Sequence, residues 1–294
     1  MKRSLRRTVL SAIAVLPALG LFIGYSAAAS ASVPATAKAA SVNKEAEAKA
    51  AAVAFVKTLK VGFHSKTHPL VRHDSSQVKA LTQVTSTNWS GYADTGSGFS
   101  SVSATWKEPT PSCSGRSTAL AAFWVGIDGY SSDSVEQDGT LIECYDRTAY
   151  QYTWWEMYPT NDVQVVGETA AAGDAITASV VRSGTSYKLT VTDATHTADS
   201  FSTTQTCSAS SCVDSSAEWI AEAPTGSSGV EPLTDFGTWT ASNAAVTEGS
   251  TSGSISSFTD DEITMIDSSG ATKALPGALN GAGTGFSVTW KKAN

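Results

Sequence analysis

Residues 123–159 read FWVGIDGYSSDSVEQDGTLIECYDRTAYQYTWWEMYP, and the alternation inside this stretch decides the fold. An extended chain sends successive side chains to opposite faces. Over Tyr150–Tyr158 that rule gathers Tyr150, Tyr152, Trp154, Glu156 and Tyr158 on one face and leaves Gln151, Thr153, Trp155 and Met157 on the other. The same parity separates Phe123, Val125 and Ile127 from Trp124, Gly126 and Asp128. The first set suits a core and the second a cleft. A single carboxylate, Glu156, then stands among aromatic rings.

From Thr87 onward the same texture continues. Short alternating segments rich in Val, Thr, Tyr and Trp recur between Gly, Ser, Asn and Asp clusters: VSATW, AFWVGID, YQYTWWEMY, DAITASVVR, SYKLTVTD, SFSTTQT, AEWIAEA, FGTWTASNAAV, EITMID, ATKAL and GFSVTWKK. Strands at this spacing, without intervening helical periodicity, indicate an all-β antiparallel sandwich of two sheets, of the concanavalin or jelly-roll type. Residues 85–294 are long enough for one such domain, with a bent sheet leaving a groove.

The chain opens MKRSLRRTVLSAIAVLPALGLFIGYSAAASASV, a basic start, an apolar run and small residues. Residues 1–31 are expected to be a secretory signal peptide, too short to anchor a membrane, so the protein is expected outside the cell. Residues 32–84 are Ala- and Lys-rich, with Val53, Val56, Leu59 and Lys60 at the spacing of a short amphipathic helix. They are read as a removable pro-segment. Residues 82–294 hold 24 acids against 8 Lys and Arg, a balance of −16, whereas 32–81 hold 3 acids against 8, a balance of +5. The acidic body would repel nucleic acid and anionic lipid, so neither is an expected partner. The lysines of the leader could lie over an acidic groove and let go when acid neutralises it. A monomer is expected.

Four cysteines, Cys113, Cys144, Cys207 and Cys212, accompany an exported chain, so two disulfides are expected. Sequence allows three pairings; Cys113–Cys144 with Cys207–Cys212 is the one expected. Triad chemistry needs an imidazole, yet His64, His68 and His73 lie in the leader, and His196 sits in the hairpin-like TDATHTAD. No metal-ligand spacing and no phosphate loop is seen, and no cofactor is expected. ADTGSG at 93–98 resembles an aspartic-protease loop, but that chemistry needs two such aspartates and only one copy is present.

Carboxylates and amides remain. Aromatic neighbours desolvate Glu156 and raise its pKa above about 4.3, which suits proton transfer in acid. Gln137, in SVEQDGT, offers an amide that donates to an oxyanion at any pH. Read from composition alone, Gln137 is equally a polar loop residue.

Asn88-Trp89-Ser90-Gly91-Tyr92, Trp124-Val125-Gly126-Ile127-Asp128-Gly129, Gln137 before Gly139, and Tyr152-x-Trp154-Trp155-Glu156-x-Tyr158-Pro159 resemble, in order and spacing, the glutamic peptidases, the eqolisin family. Ala217-Glu218-Trp219-Ile220 with Glu222, and Asp235-Phe236-Gly237, are similar to its later segments. The resemblance implies a two-sheet sandwich, secretion as a proenzyme, and endopeptidase activity on proteins and peptides in acid. Carried over by position, it implies that Gln137 and Glu156 are the catalytic pair and that Trp124 and Asp128 support it. Trp89, Tyr152, Trp154 and Tyr158 are expected to line the substrate trough. Glu136 and Asp138 beside Gln137, and Met157, depart from the fungal pattern. A carbohydrate-binding sandwich and a glycosidase pairing Glu156 with Glu136 are the alternatives.

Overall fold

The computed structural model describes residues 35–61, 71–73, 82–115, 117–207 and 212–294. The signal-peptide reading and most of residues 62–81 lie outside them. The chain divides into two units, Met1–Asn43 and Lys44–Asn294. The first is described only from Ala35, where a helix begins that runs to Val56. That helix is longer than the sequence pattern suggested, because its Ala-rich stretch favours helix throughout. Leu59 and Lys60 lie past its end, in a segment that carries a β-bridge at Lys60.

All eleven strands expected from alternation form, and they build the two layers of a sandwich, joined into one 17-stranded array, beside a separate two-stranded ladder of Thr225–Gly226 and Gly229–Val230. The large sheet runs, edge inward, through Asn161–Gly167, Thr148–Tyr158, Val135–Tyr145, Ala119–Ile127, Ser216–Glu222, Trp89–Thr95 and Asp260–Ile266. The last of these pairs in parallel with Thr82–Ser86, which in turn pairs with Val71–His73. The composition boundary at residue 84 therefore falls inside a strand. The small sheet runs Phe201–Thr206, Ser186–Asp193, Ala175–Ser183, Phe99–Lys107 and Thr238–Glu248. Thr238–Glu248 belongs to both layers: residues 238–241 pair with Phe286–Trp290, and beyond a register shift at Ser242–Ala245 the strand pairs with Phe99–Lys107. A strand that changes sheets through an irregularity is how sandwich corners are built.

Parity sorts the apolar residues as alternation requires. Phe123, Val125, Ile127 and Met157 join Val102, Val180, Leu189 and Trp239 in the core between the sheets. Trp89, Trp124, Tyr152, Trp154 and Ile220 form a second cluster on the other face of the large sheet. Val53, Val56, Leu59 and Val61 belong to that second cluster.

Both expected disulfides form, Cys113–Cys144 across 31 residues and Cys207–Cys212 across 5. Loop-closure entropy makes the longer one worth more. Replacing Cys113 and Cys144 by Ala is expected to cost about 3–4 kcal/mol and replacing Cys207 and Cys212 about 2 kcal/mol. Urea midpoints of the two double variants check this, and equal losses would rule out loop entropy as the deciding term.

Candidate active site

The site is built by register. Gln137 pairs directly with Glu156 on the neighbouring antiparallel strand, and one strand further in Gln137 lies opposite Gly126. Trp124 and Trp154 share the next row through Gly139. Directly opposed residues point to the same face, so register alone brings amide and carboxylate together. Gly139, at the centre of the second row, has no room for a side chain, and Gly126, beside Gln137 in the first, has little. A Cβ on Gly139 would lie 2.0 Å from the Phe123 carbonyl, and one on Gly126 only 3.0 Å from the Trp124 ring and 3.2 Å from Gln137 Cβ.

Gln137 Nε2 donates to Glu156 Oε2 at 2.7 Å, and both residues are fully buried. Burial holds the Glu156 carboxyl well above its usual range; the Gln137 hydrogen bond pulls the other way, and the nearby Glu222 charge adds to the rise. The second amide proton of Gln137 goes to a backbone carbonyl, Val61 O, at 2.7 Å. The neighbour of that residue, Lys60, exchanges two backbone hydrogen bonds with Thr225, both 2.9 Å, and its Nζ stands 5.4 Å from the centre of the Tyr158 ring. A stretch of leader thus lies across the amide–carboxylate pair.

One charge contact of the kind anticipated for the leader accompanies this cover. Among the described residues Lys49 Nζ stands 3.9 Å from Glu168 Oε2, both side chains partly exposed, and donates to the Glu168 backbone carbonyl. Such a pair is worth about 0–1 kcal/mol. Burying Val53, Val56, Leu59 and Val61 is worth about 1.5–3 kcal/mol for each side chain. Among the described residues apolar packing and backbone pairing outweigh this one pair, and neutralising Glu168 would remove little of the cover.

Of the residues expected at the site, Trp89, Trp124, Tyr152 and Trp154 line the face, with Trp89 edge-on to Trp124 at 4.9 Å, and Tyr158 flanks it half-buried under Lys60. Asp128 is placed on a neighbouring loop and beside Glu136, away from the face that carries the pair. It follows the end of its strand with φ of 68°, and its carboxylate accepts from the backbone N–H groups of Val213, Asp214 and Ser215 at 2.8 Å, tying down that loop. Sequence parity carried Asp128 onto the cleft face because it assumed that the strand continued. In the sequence Glu222 stands out only as part of a motif, yet it accepts from Trp124 Nε1 at 2.9 Å and from Asn88 Nδ2 at 3.2 Å. It is a second carboxylate on this face. Neither of the two His/Cys/Asp/Glu clusters among the described residues includes Gln137 or Glu156. The cluster of Glu136 with Cys207 and Cys212 has its sulfurs committed to a disulfide.

The profile of the Peptidase A4 family matches residues 87–280, nearly the whole β domain. The chain belongs to the Peptidase A4 family. Curated Peptidase A4 relatives include scytalidopepsin B of Scytalidium lignicola, 38% identical over 105 residues, a match covering 35% of this chain and 38% of that one. Aspergillopepsin-2 of Aspergillus niger is 27% identical over 188 residues, covering 56% of this chain and 65% of that one. The matched regions thus span less than two thirds of both curated relatives. The fold agrees with the crystal structure of scytalido-glutamic peptidase bound to a peptide-based transition-state analogue, at a TM-score of 0.58 and 26% identity over 70% of this chain and 98% of that one. It also agrees with aspergilloglutamic peptidase from Aspergillus niger, at a TM-score of 0.51 and 26% identity over 59% of this chain and 99% of that one. The resemblance drawn from separated motifs and this family membership coincide.

Proposed function

We propose that this Peptidase A4 member is a secreted endopeptidase that hydrolyses peptide bonds in acid with Gln137 and Glu156. The observation that carries the reading is the amide of Gln137, which reaches a carboxylate and a peptide carbonyl at once, each at 2.7 Å. Burial favours the protonated form, so it is the ionised fraction of Glu156 that takes a proton from water as the water oxygen bonds to the carbonyl carbon. Gln137 Nε2 donates to the resulting oxyanion, and Glu156 then passes the proton to the leaving nitrogen as the C–N bond breaks. The aromatic face excludes bulk solvent and strengthens both interactions.

The binding geometry favours peptide over sugar. A backbone carbonyl sits on the amide while its neighbour pairs as a strand with Thr225. A glycosidase pairing of Glu156 with Glu136 conflicts with the strand, because Glu136 precedes Gln137 and so faces the opposite way, towards Cys212. Residues 32–84 fit a pro-segment that keeps the enzyme inactive by occupying this face, and secretion follows from the leader sequence before it.

A second carboxylate on this face defines a rival assignment of the base. Glu156 gives Oε2 to Gln137 and keeps Oε1 without a hydrogen-bond partner, whereas both oxygens of Glu222 accept, from Asn88 and Trp124. In that arrangement Glu156 orients the amide and Glu222 activates water. The general reading is tested by digestion of denatured protein across acid and neutral pH, with an inhibitor of aspartic peptidases present. Cleavage confined to acid and insensitive to the inhibitor is expected; polysaccharide turnover without proteolysis would overturn it.

A further inference from the structure

We infer that the chain carries its own first cleavage site, at the carbonyl of Val61. The inference rests on the peptidase reading above and adds where the first cut falls. In an extended segment, successive residues direct their N–H and C=O groups to opposite edges. Both backbone groups of Lys60 go to Thr225, at 2.9 Å each. Those of Val61 therefore turn the other way, where its carbonyl meets Gln137 Nε2 at 2.7 Å and its N–H faces the Glu156 carboxylate. Side chains follow the same period: Leu59 and Val61 are buried in the aromatic cluster, and Lys60 between them is exposed. The segment is threaded between the Thr225 edge and the amide–carboxylate pair as the acyl half of a substrate would be.

Chemistry at that carbonyl needs only water. Its oxygen bonds to the Val61 carbonyl carbon and one proton moves to the carboxylate base. The bond to the nitrogen of Gly62 then breaks and that nitrogen receives the proton. The products are a new carboxyl terminus at Val61 and a new amino terminus at Gly62. Because the scissile carbonyl is already seated on the donor, the reaction is intramolecular and its first-order rate constant is independent of enzyme concentration. The cut also removes the covalent tether that keeps residues 44–61 at high effective concentration over the site. The apolar cover is thereby made free to dissociate.

The test uses the full-length proenzyme, held at neutral pH and then acidified, with intact-mass analysis of quenched samples and an unrelated reporter peptide in the same tube. The earliest fragments are expected to end at Val61 and to begin at Gly62, with a first-order rate constant unchanged over a tenfold dilution. An earliest cut elsewhere, or an apparent first-order rate constant that falls in proportion to dilution, overturns the inference while reporter cleavage leaves the peptidase reading standing. If neither chain nor reporter is cut, both fail. Val61→Asp, which puts a charge into the aromatic cluster, is expected to slow this cut by about tenfold or more. Cutting at the same bond and the same rate in V61D would also overturn the inference. Should V61D not fold, fragment mapping of the natural chain decides alone.

Discussion

Glu156→Gln is expected to lower peptide hydrolysis by about three orders of magnitude or more, because it removes the proton acceptor and leaves shape and hydrogen bonding in place. The fold should survive. Glu156 is buried and its carboxyl is held well above the usual range, so a neutral amide matches the form that burial already favours. Gln137 Nε2, 2.7 Å from Glu156 Oε2, finds an equivalent carbonyl oxygen in the variant. Melting temperature at neutral pH should accordingly be unchanged or higher. Gln137→Ala removes the oxyanion donor and should cost about 10²–10³-fold in kcat. Glu222→Gln separates the two assignments of the base. If Glu222 only braces Trp124 and Asn88, the variant loses about tenfold or less, since an amide oxygen still accepts both hydrogen bonds. Near-normal cleavage by E156Q together with a dead E222Q would move the base from Glu156 to Glu222.

How much of this was legible in the sequence depended on whether a feature is local. Period-two alternation is local, and it placed Phe123 and Val125 in the core and Trp124, Trp154 and Glu156 on the far face. The strand Val135–Tyr145 escaped notice because Glu136, Asp138 and Gly139 interrupt its apolar pattern. Those acids are buried in the interior, with carboxyls that burial pushes well above their usual range. A rule that treats every Asp and Glu as charged reads such a strand as a loop. Asp128 failed for the opposite reason: parity held along the strand, but the chain turned left-handed at that residue. The seats of Glu222 and Val61 depend on partners 98 and 76 residues away. No spacing rule reaches that far, and only the motif order pointed towards this face.

Asp94→Asn is expected to stabilise the protein by about 2–4 kcal/mol at pH 7 and by almost nothing near pH 3. Asp94 is fully buried, neither carboxylate oxygen has a hydrogen-bond partner, and it lies opposite Asp260 in the strand register. Burial first, then the charges of Asp260 and Glu248, push its carboxyl up to about 9. An unfolded Asp titrates near about 4. Between those values the folded state holds a proton that the unfolded state gives up, so stability is complete below about pH 4 and declines as pH rises towards 9. Asn carries no such proton, and its advantage appears only where the unfolded aspartate is ionised. Glu108, raised to about 8, and Glu143, raised to about 7, both chiefly by burial, act with the same sign. The natural chain should therefore show a higher urea midpoint at pH 4 than at pH 7, and unfolding at pH 7 should release protons. A chain more stable at pH 7 than at pH 4, or a D94N gain of equal size at both, would show that these carboxyls are ionised in the fold. The acidic composition then has a different meaning from repulsion at the surface. A domain that buries so many acids in neutral form is built for conditions in which they stay neutral, and those are the conditions under which a buried glutamate beside an amide has protons to move.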